Sequence, residues 1–544
     1  LRPFSATAIA AQFDAPIAEA APARNRVRFL AIGILAVLLL LTGRAVQLAF
    51  SGDPIARQAA AAQRVMRADI VDRNGILLAT TVRAYTLIAA PQNIQDAEAT
   101  ANALIALLPR LNREDTMRRL TDRTRRAIYL TRGLTPEERA AVEALELRGI
   151  SFETQDKRVY PHGTLAAHAL GFTDVDLNPL AGAERGLDAA IREAGAAGHP
   201  LALSLDVRMQ YALETELEAS ARAMGATGAA AILLDGRSGE TLALASWPAF
   251  DPNEAGRAQE NARRDRISGD VHELGSTIKP FTVAMALQAQ MTSGAEVFDF
   301  SQPFAIDGNV IRDHEPAVRG LAGLREIMTH SSNIGAARLA LRLGGERQRG
   351  YLNQLGLLAP SSLQTGRSQA PIAPAPRSRR DVAGVGFGYG LATTPAALAG
   401  AYTIFANNGA RVQPTLLHSE SGDAPEQTQV FSAPVTRQVL SYMRAAVTSG
   451  TGRAADVPGL AVAGKTGTAE KLGEDAEYDD SRNFSSFAGV FPAQDPRYVI
   501  VVSLDDVGAG EAGGVAAAPV VARTLRRIAP MLGMTVTPPS RESN

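Results

Sequence analysis

The chain has 544 residues, more than one ordinary hydrophobic core holds when domains run to roughly 100–200 residues, and its 46% hydrophobic content is enough to fill two or more cores. Its 55 basic and 56 acidic residues leave a net charge of −1, which offers no global attraction to nucleic acid or to a strongly anionic surface. Without cysteine it holds neither disulfides nor thiolate metal sites, so function must be sought in particular residues.

In chain order, residues 1–23 are rich in alanine and proline and read as a disordered cytoplasmic tail. Residues 24–50 predict a transmembrane anchor. Arg24, Arg26 and Arg28 precede an apolar run over 29–50 that, at about 1.5 Å per residue, reaches across a hydrocarbon core of about 30 Å. The positive-inside rule places the tail in the cytoplasm and everything later outside, giving a single-pass membrane protein with an external C-terminal domain. A cleaved signal peptide is the rival reading, but no clear A-x-A site follows the run. Arg44 and Gln47 share a helix face, which suits either snorkelling or a polar contact to another membrane protein.

Residues 51–200 mix short strand-like runs, ADIVDRNGILLATT and AYTLIAA, with arginine-rich helical stretches such as RLNREDTMRRLTDRTRR. They predict an extended α+β module whose arginine run is a solvated face, or alternatively a lipid or anionic-partner surface. From 201 to 534 the texture is that of a larger α/β domain. GAAAILLDGRSGETLALAS alternates around a turn like a hairpin, HELGSTIKPFTVAMALQAQ reads as a buried helix, and FSSFAGVFP with RYVIVVSLDD reads as two closing strands. The expected fold is therefore a multidomain α/β (α+β) chain whose larger domain carries an antiparallel sheet flanked by helices. The proline- and serine-rich segment 359–380 reads as a mobile surface loop, and 535–544 as a C-terminal tail.

Only four of the 55 basic residues are lysines: Lys157, Lys279, Lys465 and Lys471. A lysine retained against that bias points to a property arginine lacks, and the ability to lose its proton when buried is one. Two of the four sit in short polar motifs. Ser276-Thr277-Ile278-Lys279 opens a helical run, so the serine and lysine lie one turn apart on one face and the amine could take the serine proton. Alone, such a pair is equally a capping serine with a surface lysine. Ser331-Ser332-Asn333 leads into an apolar helix. Ser331 could relay protons there and the Asn333 amide could hold a substrate carbonyl, although ordinary N-capping accounts for the same residues. Lys465-Thr466-Gly467-Thr468 ends an apolar strand-like approach at a glycine that admits a substrate backbone, and the upstream glycines of a phosphate loop are missing.

Taken in this order, the three motifs resemble the penicillin-binding proteins and serine β-lactamases, whose shared signature is S-x-x-K, S-x-N and K-T-G. The chain is nearer to the class B penicillin-binding proteins, because ADIVDRNGILLATT, RVYPHGTLAAHALGF, GAERGLD, LSLDVRMQ and WPAFDPN resemble further landmarks of that family. Ala68 stands where the family often has glycine, and Leu274 where proline commonly precedes Gly-Ser.

The resemblance implies a pedestal, dimerisation-type domain carrying a transpeptidase domain. Ser276 would attack a donor stem peptide of peptidoglycan, and an acceptor stem peptide would resolve the acyl-enzyme. Lys279, Ser331, Asn333 and Lys465 would complete the catalytic set. Thr466, Gly467 and Thr468 would bind substrate, and the backbone N–H groups of Ser276 and Thr468 would form the oxyanion hole. It also implies covalent inhibition by β-lactams and, for the division type that the compact pedestal and GFGYG resemble, a polytopic glycosyltransferase and other division proteins as partners. An elongation-type enzyme, a β-lactam sensor and a serine β-lactamase remain alternatives, although no E-x-x-x-N segment between Asn333 and Lys465 supplies a class A glutamate. No cofactor, metal or nucleic-acid motif is read. Gly384–Gly388 lacks a βαβ setting and reads as backbone packing, and His162 and His168 are badly spaced for a metal.

Overall fold

The computed structural model describes residues 67–536 except 315–317, 420–424, 473–477 and 509–512, with a few positions near residue 40. Leu1–Met66 and Arg67–Asn544 form separate units. The predicted tail and nearly all of the predicted anchor, Arg44 and Gln47 included, lie outside the described residues, as does the end of the C-terminal tail. Among the described residues no helix is long and apolar enough to cross a membrane.

The second unit begins with a five-stranded sheet of β1 (Ile70–Val71), β2 (Leu77–Ala89), β3 (Ile128–Leu134), β4 (Ile150–Val159) and β5 (Leu201–Ala202), in which β2 pairs antiparallel with β1, β3 and β4. Three capped helices pack beside it. Asp96 caps α1 (Ala97–Leu107), Asn112 caps α2 (Arg113–Thr121), and a Thr135–Glu138 capping box opens α3 (Pro136–Glu143). Leu87, Leu104, Leu120, Leu134 and Val142 form their shared core. Within the arginine-rich run, Arg118 and Arg119 both pair with Asp115 on α2, so part of that basic face is balanced locally. The segment entering this module is tied down by charge: buried Arg67 donates to Glu184, whose other oxygen takes Arg158 at 2.6 Å.

The larger sheet has the order β8-β9-β10-β6-β7, where β6 is Gly228–Asp235, β7 Thr241–Trp247, β8 Ala463–Leu472, β9 Tyr478–Phe491 and β10 Tyr498–Val507. Every pairing in it is antiparallel. The hairpin β6–β7 forms, but β6 is buried at all of its positions instead of alternating with solvent. Ala231 and Leu233 face one core while Ile232 and Leu234 face another, because helices cover both sides of the sheet. The two strands read as closing the sheet are interior, and its edges are β7 and β8.

The helices that build and cover the site are α4 (Val207–Ala223), α5 (Lys279–Gln288), α6 (Asn333–Leu343), α7 (Arg379–Phe387) and α8 (Ala517–Ile528). α4 and α8 pack together on one face, through Leu213, Leu217, Val521 and Leu525. On the other face α5 is enclosed from Lys279 to Leu287. The segment 359–380, read as a mobile surface loop, is irregular as far as Ser378 and is anchored at several points. Leu363 and Thr365 are buried, the Gln369 N–H donates to the Ser268 carbonyl at 2.7 Å, and Ile372 bridges Ala392. Gln369 and Ile372 thus anchor the segment to its neighbours, and Arg379 and Arg380 open α7.

Candidate active site

Ser276 lies in a single 3-10 turn, Gly275–Ile278, that runs directly into α5, with Pro280 in the first helical turn where its missing N–H costs nothing. The turn is held from several sides. The Tyr402 hydroxyl donates to the Thr277 carbonyl at 2.8 Å, the Thr277 hydroxyl to the Leu274 carbonyl at 2.6 Å, and the Gly275 N–H to the Gly388 carbonyl at 3.1 Å. Gly388, at φ +113°, ends α7 so close to Gly275 that a Cβ there would collide with the Gly275 carbonyl. Gly275 itself, at φ +48°, abuts the backbone of Thr468. The glycine-rich GFGYG turn therefore packs backbone to backbone under the serine.

The three motifs converge. Ser331 precedes α6 in a left-handed conformation, φ +60°, which serine seldom adopts. There its hydroxyl donates to Ser276 Oγ at 2.8 Å. Lys279 Nζ donates to the Ser331 carbonyl at 2.5 Å, to Ser331 Oγ at 3.1 Å and to Asn333 Oδ1 at 2.7 Å. No hydrogen bond joins Ser276 to Lys279 directly among the described residues; Ser331 stands between them. The Asn333 amide is partly committed, because Oδ1 serves Lys279 and Nδ2 donates to the Arg312 carbonyl at 3.2 Å. One amide proton is left for a ligand.

Lys465, Thr466, Gly467 and Thr468 lie on edge strand β8. Lys465 Nζ, fully buried, contacts the Thr466 carbonyl at 3.1 Å and the hydroxyls of Thr466 and Thr451, each at 3.3 Å. Thr468 Oγ1 accepts the Gly513 N–H at 3.1 Å and keeps its own proton to donate. The Ser276 N–H has no acceptor among the described residues.

Burial sets the electrostatics. Lys279 is held well below the usual lysine range, first by desolvation and then by the positive charge of Lys465, with Asp313 pulling the other way. Lys465 is pushed down to about 7 by desolvation. The site thus pairs a lysine driven towards its neutral form with a hydroxyl chain ending at an accessible serine.

Two contributors were not singled out from the sequence. Asp313 accepts from the Ser332 hydroxyl at 2.7 Å and the Ile334 N–H at 3.0 Å, fixing the turn that carries Ser331. Thr451 shares a 2.7 Å hydrogen bond with Thr466 beside Lys465. The available signal for Thr451 was the glycine-bracketed run Ser449-Gly450-Thr451-Gly452, whereas Asp313 stands in no motif that was read. His168, weighed as a metal ligand, instead packs edge-on against Phe250 with Nε2 2.8 Å from the Ala262 carbonyl.

Known proteins carry the same plan. The penicillin binding protein transpeptidase domain matches residues 229–526, and the penicillin-binding protein dimerisation domain matches 62–186. The probable peptidoglycan D,D-transpeptidase FtsI of Caulobacter vibrioides is 39% identical over 483 residues, covering 86% of this chain and 82% of the relative. The probable peptidoglycan D,D-transpeptidase PenA of Neisseria gonorrhoeae is 33% identical over 517 residues, covering 87% and 86%. The crystal structure of penicillin binding protein 3 from Mycobacterium tuberculosis, complexed with aztreonam, superposes with a TM-score of 0.67 at 26% identity, over 87% of this chain and 98% of that one.

Proposed function

The chain belongs to the penicillin-binding protein transpeptidase family, and we propose that Ser276 is the nucleophile with which it cross-links peptidoglycan. It is an enzyme, a peptidoglycan D,D-transpeptidase of the class B division type. The observation that carries the residue assignment is the hydrogen-bonded chain from the partly exposed Ser276 Oγ through Ser331 Oγ to the buried Lys279 Nζ.

With Lys279 neutral, the hydroxyl chain reverses. Ser276 donates to Ser331, Ser331 donates to the lysine lone pair, and Ser276 Oγ attacks the penultimate D-alanyl carbonyl of the donor stem peptide. The developing oxyanion is met by the N–H groups of Ser276 and Thr468. Lys279 returns the proton through Ser331 to the departing terminal D-alanine. An acceptor amine then attacks the acyl ester, losing its proton along the same route. Lys465, with the hydroxyls of Thr466 and Thr468, holds the donor's terminal carboxylate, and the remaining Asn333 amide proton orients the peptide.

A β-lactam enters as a donor whose leaving group stays tethered. Attack by water needs a dedicated base, and Asp313 is turned into the Ser332 and Ile334 contacts. We therefore expect a one-to-one penicillin adduct to persist for hours, read by intact-mass spectrometry after excess drug is removed. Loss of the adduct within seconds, with catalytic drug hydrolysis, would establish the β-lactamase alternative.

The basic flank and apolar run of 24–50 support a single-pass inner-membrane anchor with the catalytic domain in the periplasm. Protease added to spheroplasts should then digest the C-terminal domain, and full protection would reverse this topology. The division reading brings with it a polytopic glycosyltransferase and other division proteins as partners, with Arg44 and Gln47 available as a polar contact inside the membrane.

A further inference from the structure

A second concavity, a cleft of about 890 Å³, opens where residues 167–185 meet 250–269 and 365–369. Its apolar wall is Phe172 and Phe250, edge to face at 5.8 Å. Arg185, Arg263 and Arg367 stand exposed around it. Their neighbour Arg264 is paired with Asp270, but these three have no acidic partner among the described residues, and Arg185 donates only to the Leu180 carbonyl at 3.3 Å. Glu260 and Asp265 share the cleft and are outnumbered by its arginines.

Deeper in, the Asp265 carboxylate uses Oδ1 for the N–H groups of Ile267 and Ser268, at 2.9 and 3.3 Å. Its Oδ2 is sealed from solvent with the Thr365 hydroxyl beside it. Ser268 and Ser368, on the same two segments, also leave buried hydroxyls unpaired. Each buried polar atom left without a partner costs about 1–3 kcal/mol, so the chain alone under-satisfies this cluster.

We propose that this cleft receives an acidic peptide segment of a partner protein. The carboxylates lie on Arg185, Arg263 and Arg367, and an apolar side chain lies against the edges of Phe172 and Phe250. The planar guanidinium matches a carboxylate in bidentate geometry. Inorganic phosphate has the charge but nothing for the phenyl rings, and a glycan has hydroxyls but few carboxylates; an acidic peptide supplies charge and apolar surface together. No residue of this cleft belongs to the acylation machinery, so the proposal stands apart from the role of Ser276.

The test is to pan the full chain in detergent micelles against a random short-peptide library. Enriched peptides should be net negative and carry an apolar residue. They should bind the double variant Arg263→Glu, Arg367→Glu about tenfold more weakly or worse, while penicillin labelling and the melting temperature of the variant stay at the parent values. No enrichment, enrichment without acidic bias, or unchanged affinity in the variant overturns the proposal. So does displacement of the peptides by inorganic phosphate or by soluble glycan strands at matched ionic strength, which would make this a simple anion site or a glycan site.

Discussion

Ser276→Ala should lower penicillin acylation at least about a thousandfold, which corresponds to roughly 4 kcal/mol of transition-state stabilisation, while the protein stays folded. The two halves of that expectation have separate causes. Acylation is lost because, among the described residues, no other hydroxyl stands at the end of a chain leading to Lys279, since Ser331 Oγ lies between Ser276 and Lys279. The fold survives because the change removes one partly exposed oxygen whose hydrogen bond is the 2.8 Å contact to Ser331, worth about 1 kcal/mol. The turn keeps its Tyr402, Thr277 and Gly388 contacts, none of which uses the Ser276 side chain. Stopped-flow acylation with a fluorescent penicillin, beside a thermal melt, checks both. A folded variant labelled at the parent rate would move the nucleophile elsewhere.

How far the site could be read from the sequence depended on whether a feature was local. The helix starting at Lys279 and the strand carrying Lys465 follow from apolar runs and their flanking residues, so both were legible. The order S-x-x-K, S-x-N and K-T-G supplied the grouping that no single motif could. What could not be read was set by tertiary neighbours. Spacing alone put Lys279 within reach of Ser276, yet the positive φ of Ser331 inserts a hydroxyl between them, and that backbone state is maintained by Asp313 from a separate segment. Thr451 reaches Lys465 only because its turn folds against β8. Likewise, β6 is buried on both faces because α4 packs on one side of it and the helix Pro395–Tyr402 on the other, a fact of layering that an isolated strand pattern does not carry.

Lys279→Arg should be about as damaging as Lys279→Met, each costing on the order of 10²–10⁴ in acylation rate. The base works only when neutral, and its neutral form becomes accessible because burial and the Lys465 charge lower its affinity for protons. In the parent, acylation should therefore persist at neutral pH and decline as pH falls through the lowered Lys279 value. A second limb should appear on the alkaline side: Lys465 loses its charge as pH rises through about 7 in the free enzyme, weakening its hold on a carboxylate. Arginine at position 279 keeps a charge that no accessible pH removes, so it cannot accept the Ser276 proton through Ser331. The methionine variant guards against a folding artefact, because a thioether fills an enclosed lysine site without burying an unpaired charge. If the arginine variant, shown folded by its melt, recovered more than about a tenth of the parental rate, positive charge at this position would matter and basicity would not, and the relay through Ser331 would have to be abandoned.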